Sequence, residues 1–448
     1  MKVHNVLLSF LLLPVLSSAL TLEEAMREVV SSNPEVQERI KEFRAVRQDR
    51  NIAFSGYLPT VDFVAAAGRE ESNNNNTGNE DKYLSRTEMA LILNWNLYRG
   101  GADKANVDRQ DARINASAYS VLEIINEKTL ELSSVYFAMM KQRDFLALAR
   151  SNVENHERVH EQIKKRIDTG VGARSELEQA SGRLALAYSN LVVTENNYED
   201  AKTNFEKVYG VNVEPAMLEA PTAELMLPGE LSMLLIKGTD ANPSLKVQRA
   251  NIDVATLNHK MTMSGYLPKI DLELKQEWNK NISGVEGDND SRSAMLKFSY
   301  NLYNGGLDQA TRQKRVSELA KESVTLSKME REVKERLKLA WNAYTMIEKQ
   351  MGYLSEHRDL SKKTLDLYNE EFALGRRTLL DILDTEEEYY SAERELVNAK
   401  YDHLFAKYRL LESTGGLLEL AGAEGLNMVG MGKMEESKAD QLDTIATR

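Results

Sequence analysis

His156-Glu157-Arg158-Val159-His160 is the segment whose residue types most directly suggest chemistry. Two histidines a helical turn apart can bind zinc, and the glutamate between them can act on a metal-bound water, the H-E-x-x-H pattern of zinc metalloproteases. Such a site also needs a third ligand and a cleft. Here both histidines are consecutive seam positions of a long helical repeat. The equivalent positions in a second copy of that repeat are Ser361, Lys362 and Leu365, which suggest no supporting site. We read His156 and His160 as structural and expect no metal, cofactor or catalytic residue. Gly430-Met431-Gly432-Lys433 lacks the upstream glycine, strand and hydroxyl residue of a phosphate loop.

The elements that carry these residues are written twice. Ser55-Gly56-Tyr57-Leu58-Pro59 returns as Ser264-Gly265-Tyr266-Leu267-Pro268, and Asn96-Leu97-Tyr98-Arg99-Gly100-Gly101 returns as Asn301-Leu302-Tyr303-Asn304-Gly305-Gly306. A repeat of about two hundred residues is too long for a solenoid unit and signals a duplicated half-molecule. Gly101 to Gly170 contains no internal proline or glycine. Its apolar residues follow a 4-3 spacing from Ile114 through Val121, Leu132, Met139, Leu146 and Val153 to Ile167. A period of 3.5 over many heptads predicts a coiled-coil helix of roughly 65 residues, about 100 Å long. A weaker seam in the same register runs from Leu319 to Phe372. Each long helix ends at a glycine, Gly170 or Gly375, and a second helical pattern follows, which predicts two antiparallel hairpins. A shorter helix opens each half, announced by Thr21-Leu22-Glu23-Glu24 and by Ser244 after Asn242-Pro243.

Residues 1–19 read as a secretory signal: Lys2, an apolar run from Val6 to Leu16, then Ser17-Ser18-Ala19 before cleavage. No other run approaches the eighteen or so apolar residues of a membrane-spanning helix. The chain has no cysteine, hence no disulfide framework and no lipidated N-terminal cysteine. A net charge of -12 without a Lys/Arg cluster argues against nucleic acid as a partner. We expect halves at 20–220 and 221–425 and a disordered tail over 426–448.

Between the repeated landmarks the pattern switches to period two, with strands expected over 57–68, 84–98, 266–278 and 292–303. In Lys269-Ile270-Asp271-Leu272-Glu273-Leu274-Lys275 charged and apolar residues alternate, and Leu296 and Phe298 alternate with Lys297. Leu91, Leu93, Trp95 and Leu97 alternate with Ile92, Asn94 and Asn96. Such strands suit either surface hairpins or an outer-membrane barrel with lipid outside and water inside. The signal peptide and the duplication favour the barrel. Four strands cannot close one, since about eight is the smallest number seen. The barrel must therefore be shared between chains.

At this point the chain resembles the TolC family of outer-membrane channel proteins. The resemblance spans the mature chain, from Leu20-Thr21-Leu22-Glu23-Glu24-Ala25 through both Gly-Tyr-Leu-Pro and both Asn-Leu-Tyr-x-Gly-Gly segments to the hairpin turns. Its most specific stretch is Gly375-Arg376-Arg377-Thr378-Leu379-Leu380-Asp381-Ile382-Leu383-Asp384, matched in the first half by Gly170 to Leu177. The resemblance implies a mainly α, internally duplicated fold in which three chains each give four strands to a twelve-stranded outer-membrane β-barrel and their helices to a periplasmic α-barrel. Ile270, Leu272, Leu274, Leu91, Leu93, Trp95, Leu296 and Phe298 would then face lipid. Lys269, Asp271, Glu273, Lys275 and Lys297 would face the lumen.

The resemblance also implies a closed periplasmic end ringed by acids. Asp381 and Asp384 match the constriction aspartates, six carboxylates around a threefold axis that would raise one another's pKa and attract cations. Arg377 matches an arginine that ties neighbouring helices shut, with Ser175 as its hydroxyl partner. Glu176 matches an acid whose partner in the family is a tyrosine, and Phe372 here lacks that hydroxyl. The expected function is an export duct of a Gram-negative outer membrane, a homotrimer working with a periplasmic adaptor (membrane fusion) protein and an inner-membrane transporter of ABC or RND type. Without a lipidation cysteine, type I protein secretion is the expected cargo route, and multidrug or small-molecule efflux is the alternative. A secreted zinc protease and a coiled-coil scaffold or adhesin are the remote alternatives.

Overall fold

The computed structural model describes residues 20–170, 173–219, 221, 227 and 229–423. The expected signal peptide and all of the expected tail lie outside these residues. In chain order the elements are α1 (Leu22–Ser32), α2 (Pro34–Phe54), β1 (Thr60–Ser72), β2 (Lys82–Arg99), α3 (Ala102–Asp168), α4 (Arg174–Tyr209), α5 (Leu231–Ala241), α6 (Pro243–Met261), β3 (Lys269–Lys280), β4 (Ser291–Ser299), α7 (Leu307–Ala373), α8 (Leu379–Ser413) and the single turn α9 (Leu417–Leu420). Within the described residues, one compact unit gathers the parts of the chain in Met1–Val36, Ile125–Gly238 and Glu335–Glu424, and the other those in Gln37–Ile124 and Thr239–Lys334. Each unit draws on both halves of the sequence.

Each half opens with two helices, because Pro34 and Pro243 cannot continue the helix before them. Thr21 caps α1 in a reciprocal box with Glu24. The cap of α6 is Asn242, whose side chain accepts from the Leu245 amide, with Pro243 at the first helical position. This corrects the reading of Ser244 as the start signal: Asn242 supplies the acceptor and Pro243 the fixed φ, so the cap stands two residues earlier than expected.

Helices α3 and α7 each run 67 residues. In α3 the 4-3 seam is the buried face: Ile114, Ala118, Val121, Ile125, Leu132, Met139, Leu146, Ala149, Val153 and Ile163 are all buried. Lys128 occupies a seam position and is buried too, which is tolerable because its Nζ donates to Glu35 Oε1 at 2.6 Å and Glu131 Oε2 at 2.8 Å. The weaker α7 seam buries Val333, Leu337 and Ala340.

The strands form one antiparallel sheet in the order β1-β2-β3-β4, in the unit that contains Gln37–Ile124. β1 and β3 begin after Pro59 and Pro268, later than expected, since residues 55–57 and 262–266 form 3-10 turns and proline lacks the amide a ladder needs. β4 stops at Ser299 rather than 303, where its partner β3 begins at Lys269. The register places Ile270 opposite Phe298, Leu272 opposite Leu296, and Leu93 and Trp95 opposite Leu274 and Leu272. Directly paired residues share a face. One face therefore collects Leu91, Leu93, Trp95, Ile270, Leu272, Leu274, Leu296 and Phe298, and β1 adds Val61 and Phe63 through pairing with Leu93 and Leu91. The other collects Asn94, Asn96, Lys269, Asp271, Glu273, Lys275 and Lys297, with Lys297 Nζ 2.6 Å from Glu273 Oε2.

At the base of the sheet Gly100 has φ +63, and a Cβ there would lie 2.8 Å from both the Leu267 Cβ and the Ser264 carbonyl oxygen. Gly100→Ala is expected to destabilise by at least about 1–2 kcal/mol from the left-handed backbone alone, and the backbone carbonyl cannot swing away. A lowered melting midpoint would register this. An unchanged midpoint would refute the close approach.

Candidate functional site

The candidate site is the end of the compact unit where both hairpins turn. Gly170 (φ +79) and Gly375 (φ +73) terminate the long helices in the left-handed conformation. The short turns bring α3 and α4, and α7 and α8, side by side. Between them Val159 and Ile163 of α3, Ala180 of α4, and Leu379 and Leu383 of α8 form a buried cluster, with Ile167, Leu177 and Phe372 packed against it.

Helix α8 starts on this cluster. Its cap is Thr378, whose amide and hydroxyl donate to Asp381 Oδ2 at 2.9 and 2.8 Å, while the Asp381 amide donates to Thr378 Oγ1 at 3.3 Å. The two Thr378 bonds, backbone first, hold the Asp381 carboxyl below the usual aspartate range. Within one chain Asp381 is thus a helix-start residue that stays ionised, and the positive end of the helix favours the same state. Asp384, one turn later, is exposed and accepts from Arg183 Nη2 of α4 at 3.0 Å.

Arg377 donates from Nε to Glu371 Oε2 at 2.7 Å and lies over the Tyr368 ring at 4.0 Å. The Glu371 hydrogen bond pushes its pKa further up. Ser175 is exposed and Glu176 half-buried at the first turn of α4, where Glu176 Oε2 accepts from the Ala173 amide at 3.4 Å. The Phe372 ring sits under the Arg166 guanidinium at 4.7 Å. Within one chain, then, Arg377 engages its own hairpin, and Phe372 makes a cation–π contact to α3.

The histidine pair diverges. His160 Nε2 lies 3.1 Å from Ser181 Oγ, and because that hydroxyl donates to the Leu177 carbonyl at 2.7 Å, we assign the histidine as donor. Glu157 accepts from the Tyr188 hydroxyl. His156 faces Glu386, with Nδ1 3.9 Å from Oε2, and Arg158 Nη2 is 3.9 Å from Oε1 of the same carboxylate. Burial pushes the Glu386 carboxyl up to about 6, against a pull downward from Arg158, and burial pushes His156 down. Among the described residues no group of three or more His, Cys, Asp or Glu could hold a metal ion. His156 is thus buried on the seam, and His160 is half-buried against Ser181.

Four residues at this end carried no local sequence signal. Arg183 and Glu386 look like ordinary helical charges, and only the packing of α4, α3 and α8 reveals their partners. Tyr368 and Glu371 precede Arg377 by nine and six residues, a spacing that meets only because the chain turns at Gly375.

Two long helical hairpins built from a duplicated sequence, joined to a four-stranded sheet with one apolar and one charged face, define a duct-type outer-membrane protein. The chain belongs to the outer membrane efflux protein family, whose model matches residues 25–211 and again 239–416. It is similar to the outer membrane protein TolC of Escherichia coli strain K12, 22% identical over 423 residues, covering 90% of this chain and 84% of that protein. It is similar as well to the alkaline protease secretion protein AprF of Pseudomonas aeruginosa, 24% identical over 431 residues, covering 90% and 87%. Among solved structures, the CmeC outer membrane channel of Campylobacter jejuni superposes with a TM-score of 0.76 at 14% identity, covering 95% of this chain and 89% of that one. The protein is thus an outer-membrane channel with a large periplasmic part, not an enzyme. Its fold is the mainly helical, duplicated one in which each chain gives four strands to a trimeric barrel.

Proposed function

We propose that this channel is the exit duct of a tripartite export system, docked at its hairpin end to a periplasmic adaptor and through it to an inner-membrane transporter. The apolar sheet face, including Leu93, Trp95, Leu272, Leu296 and Phe298, meets lipid, and the face with Lys269, Asp271, Glu273, Lys275 and Lys297 lines the lumen. Leu339, Met346, Tyr353, Leu360 and Leu367 of α7 and Leu374 just beyond it recur every seven residues, and each is more than half exposed. We assign this stripe to packing against the next chain of the trimer.

The single observation that carries the gate is the start of α8 at the hairpin turn, with Asp381 held ionised by Thr378 and Asp384 one turn beyond it. Threefold symmetry would gather six such carboxylates. Crowding would raise the pKa of the three Asp381 carboxyls while the Thr378 cap lowers it, so the cap keeps those three charged and cation-attracting at neutral pH. In planar bilayers the Asp381→Ala, Asp384→Ala double variant is expected to conduct severalfold more than wild type and to lose cation preference. Equal conductance would rule out the ring.

For cargo we propose type I protein secretion, supported by the likeness to a protease secretion protein across nine-tenths of the chain. The family description favours efflux as the second reading. Deleting the gene and comparing the set of secreted proteins with drug susceptibility decides between them.

A further inference from the structure

The β1–β2 hairpin maps onto β3–β4 by a shift of 209 residues in the first strand, as Pro59 becomes Pro268, and of 205 in the second, as Asn96 becomes Asn301. These shifts turn the pairing of Thr60 with Asn94 into that of Lys269 with Ser299, and Gly68 with Arg86 into Glu277 with Ser291. Both hairpins thus keep one register. The sheet order leaves β1 and β4 as its two open edges, and the contact of one hairpin with the other, β2 on β3, is made once within the chain. The same shifts applied to that contact define another, β4 against β1 of a second copy.

The end of β4 is left as one half of such a contact. Its equivalent β2 runs on as strand to Arg99, where β3 covers it as far as Lys269, but residues 300–304 have no strand pairing. There Leu302 and Tyr303 are 87% and 84% exposed, against 47% and 39% for Leu97 and Tyr98. Asp308 stands against Gly265 as Asp103 does against Gly56: a Cβ on either glycine would lie 2.6 or 2.7 Å from the carboxylate. Asn96 Nδ2 donates to Asp103 Oδ2 at 2.6 Å and to the Gly56 carbonyl at 3.3 Å. Asn301 instead accepts from the Tyr303 amide at 2.9 Å. A cavity of about 790 Å³ opens here, lined by Ser264, Gly265, Tyr300, Asn301, Tyr303 and Asp308 among others.

We propose that this cavity is a socket for β1 of the next copy: β4 lengthens to Asn304 by pairing antiparallel with the partner's residues 60–71, and Asn301 turns onto Asp308 and the Gly265 carbonyl. This rests on the barrel being shared and sets the register between its chains. The shifts place Tyr300 opposite the partner's Phe63, Phe298 opposite the partner's Ala65, Asn301 opposite the partner's Asp62 and Asn304 opposite the partner's Thr60. Apolar residues then meet on one face and polar ones on the other. Arg292 falls opposite the partner's Glu71. A slip of two residues keeps the faces but sets Arg292 against the partner's Arg69, or past the end of β1 at Ser72. The contact is head-to-tail, so three copies repeat it around a ring.

The test uses the full-length chain, which has no cysteine of its own. Directly opposed residues of an antiparallel pair stand about 4.5–5.5 Å apart at Cα, within disulfide reach, and those two residues along about 7–8 Å. Lys297→Cys should therefore oxidise into covalent dimers and trimers with Ala66→Cys, and not with Val64→Cys or Gly68→Cys, each double variant read on a non-reducing gel. In the wild-type trimer each amide of residues 302–304 should exchange as slowly as its counterpart among 97–99. Asn301→Ala should speed that exchange about tenfold, the factor for losing a hydrogen bond to a charged group. Cross-links in a shifted pair overturn the register. Fast exchange over 302–304 in wild type overturns the lengthening of β4, and an unchanged rate in Asn301→Ala overturns the turn of Asn301. A trimer with none of the three cross-links overturns this pairing alone, whereas a chain that is monomeric by size-exclusion chromatography overturns the shared barrel itself.

Discussion

Leu93→Arg is expected to abolish barrel assembly, whereas Asn94→Arg, one residue along the same strand, should assemble almost as wild type. Leu93 pairs with Leu274 on the apolar face, and Asn94 pairs with Glu273 on the charged face. An arginine near the midplane of the lipid face of such a barrel costs about 2–4 kcal/mol. Three copies in the trimer bring the penalty to about 6–12 kcal/mol, comparable to the whole stability of a typical domain. At position 94 the same side chain would join the charged face, beside the Glu273 carboxylate. Trimer yield after membrane extraction, read by size-exclusion chromatography in detergent, distinguishes the two. Equal yields, or a defect in Asn94→Arg alone, would invert the assignment of the faces.

The second large effect concerns the buried His156–Glu386 pair. Glu386 titrates near 6 in the folded chain and 4.5 in an ordinary setting, so between these values the folded state binds more protons and stability rises as pH falls. The gain is about 1 kcal/mol per chain by pH 5 and approaches about 2 kcal/mol below pH 4.5. His156 is pushed below its ordinary 6.5, so there the unfolded state binds more protons, and stability falls as pH drops through that range. In wild type the two slopes oppose each other. Single substitutions should expose them with opposite signs: His156→Gln should melt higher at pH 5 than at pH 7.5 relative to wild type, and Glu386→Gln lower. Melting midpoints at pH 5, 6 and 7.5 check this, and parallel curves for the two variants would refute a shared buried pair.

These two experiments probe features that were unequally visible in the amino-acid order. The sheet faces were legible because a strand alternates its side chains every residue, so Lys269 to Lys275 declares two faces without any partner. The register only decided which neighbours each residue meets, and where proline would cut the ladder. The α3 seam was legible for a similar reason: a 3.5-residue period places Ile114, Val121, Leu132 and Met139 on one stripe whatever packs against it. The start of α6 was misplaced onto Ser244 because two good capping residues stand close together, and the fixed φ of Pro243 selects Asn242.

The partners of charged residues were not legible. Arg183 and Asp384 lie 201 residues apart, and nothing in either neighbourhood names the other. Glu386 stands in a run of acids, Glu386-Glu387-Glu388, that reads as a solvated face. The structure buries the first of the three and exposes the other two, because only Glu386 falls on the side of α8 that packs on α3.

The amino-acid order by itself thus determined the duplication, the two long hairpins, the amphipathic strands and the need for more than one chain to close a barrel. All of these follow from local periodicity and from counting. Only the tertiary structure decided which acid is buried and which arginine it meets. Electrostatic partnership depends on distance and burial, and both are set by how four helices pack, not by the spacing along any one of them.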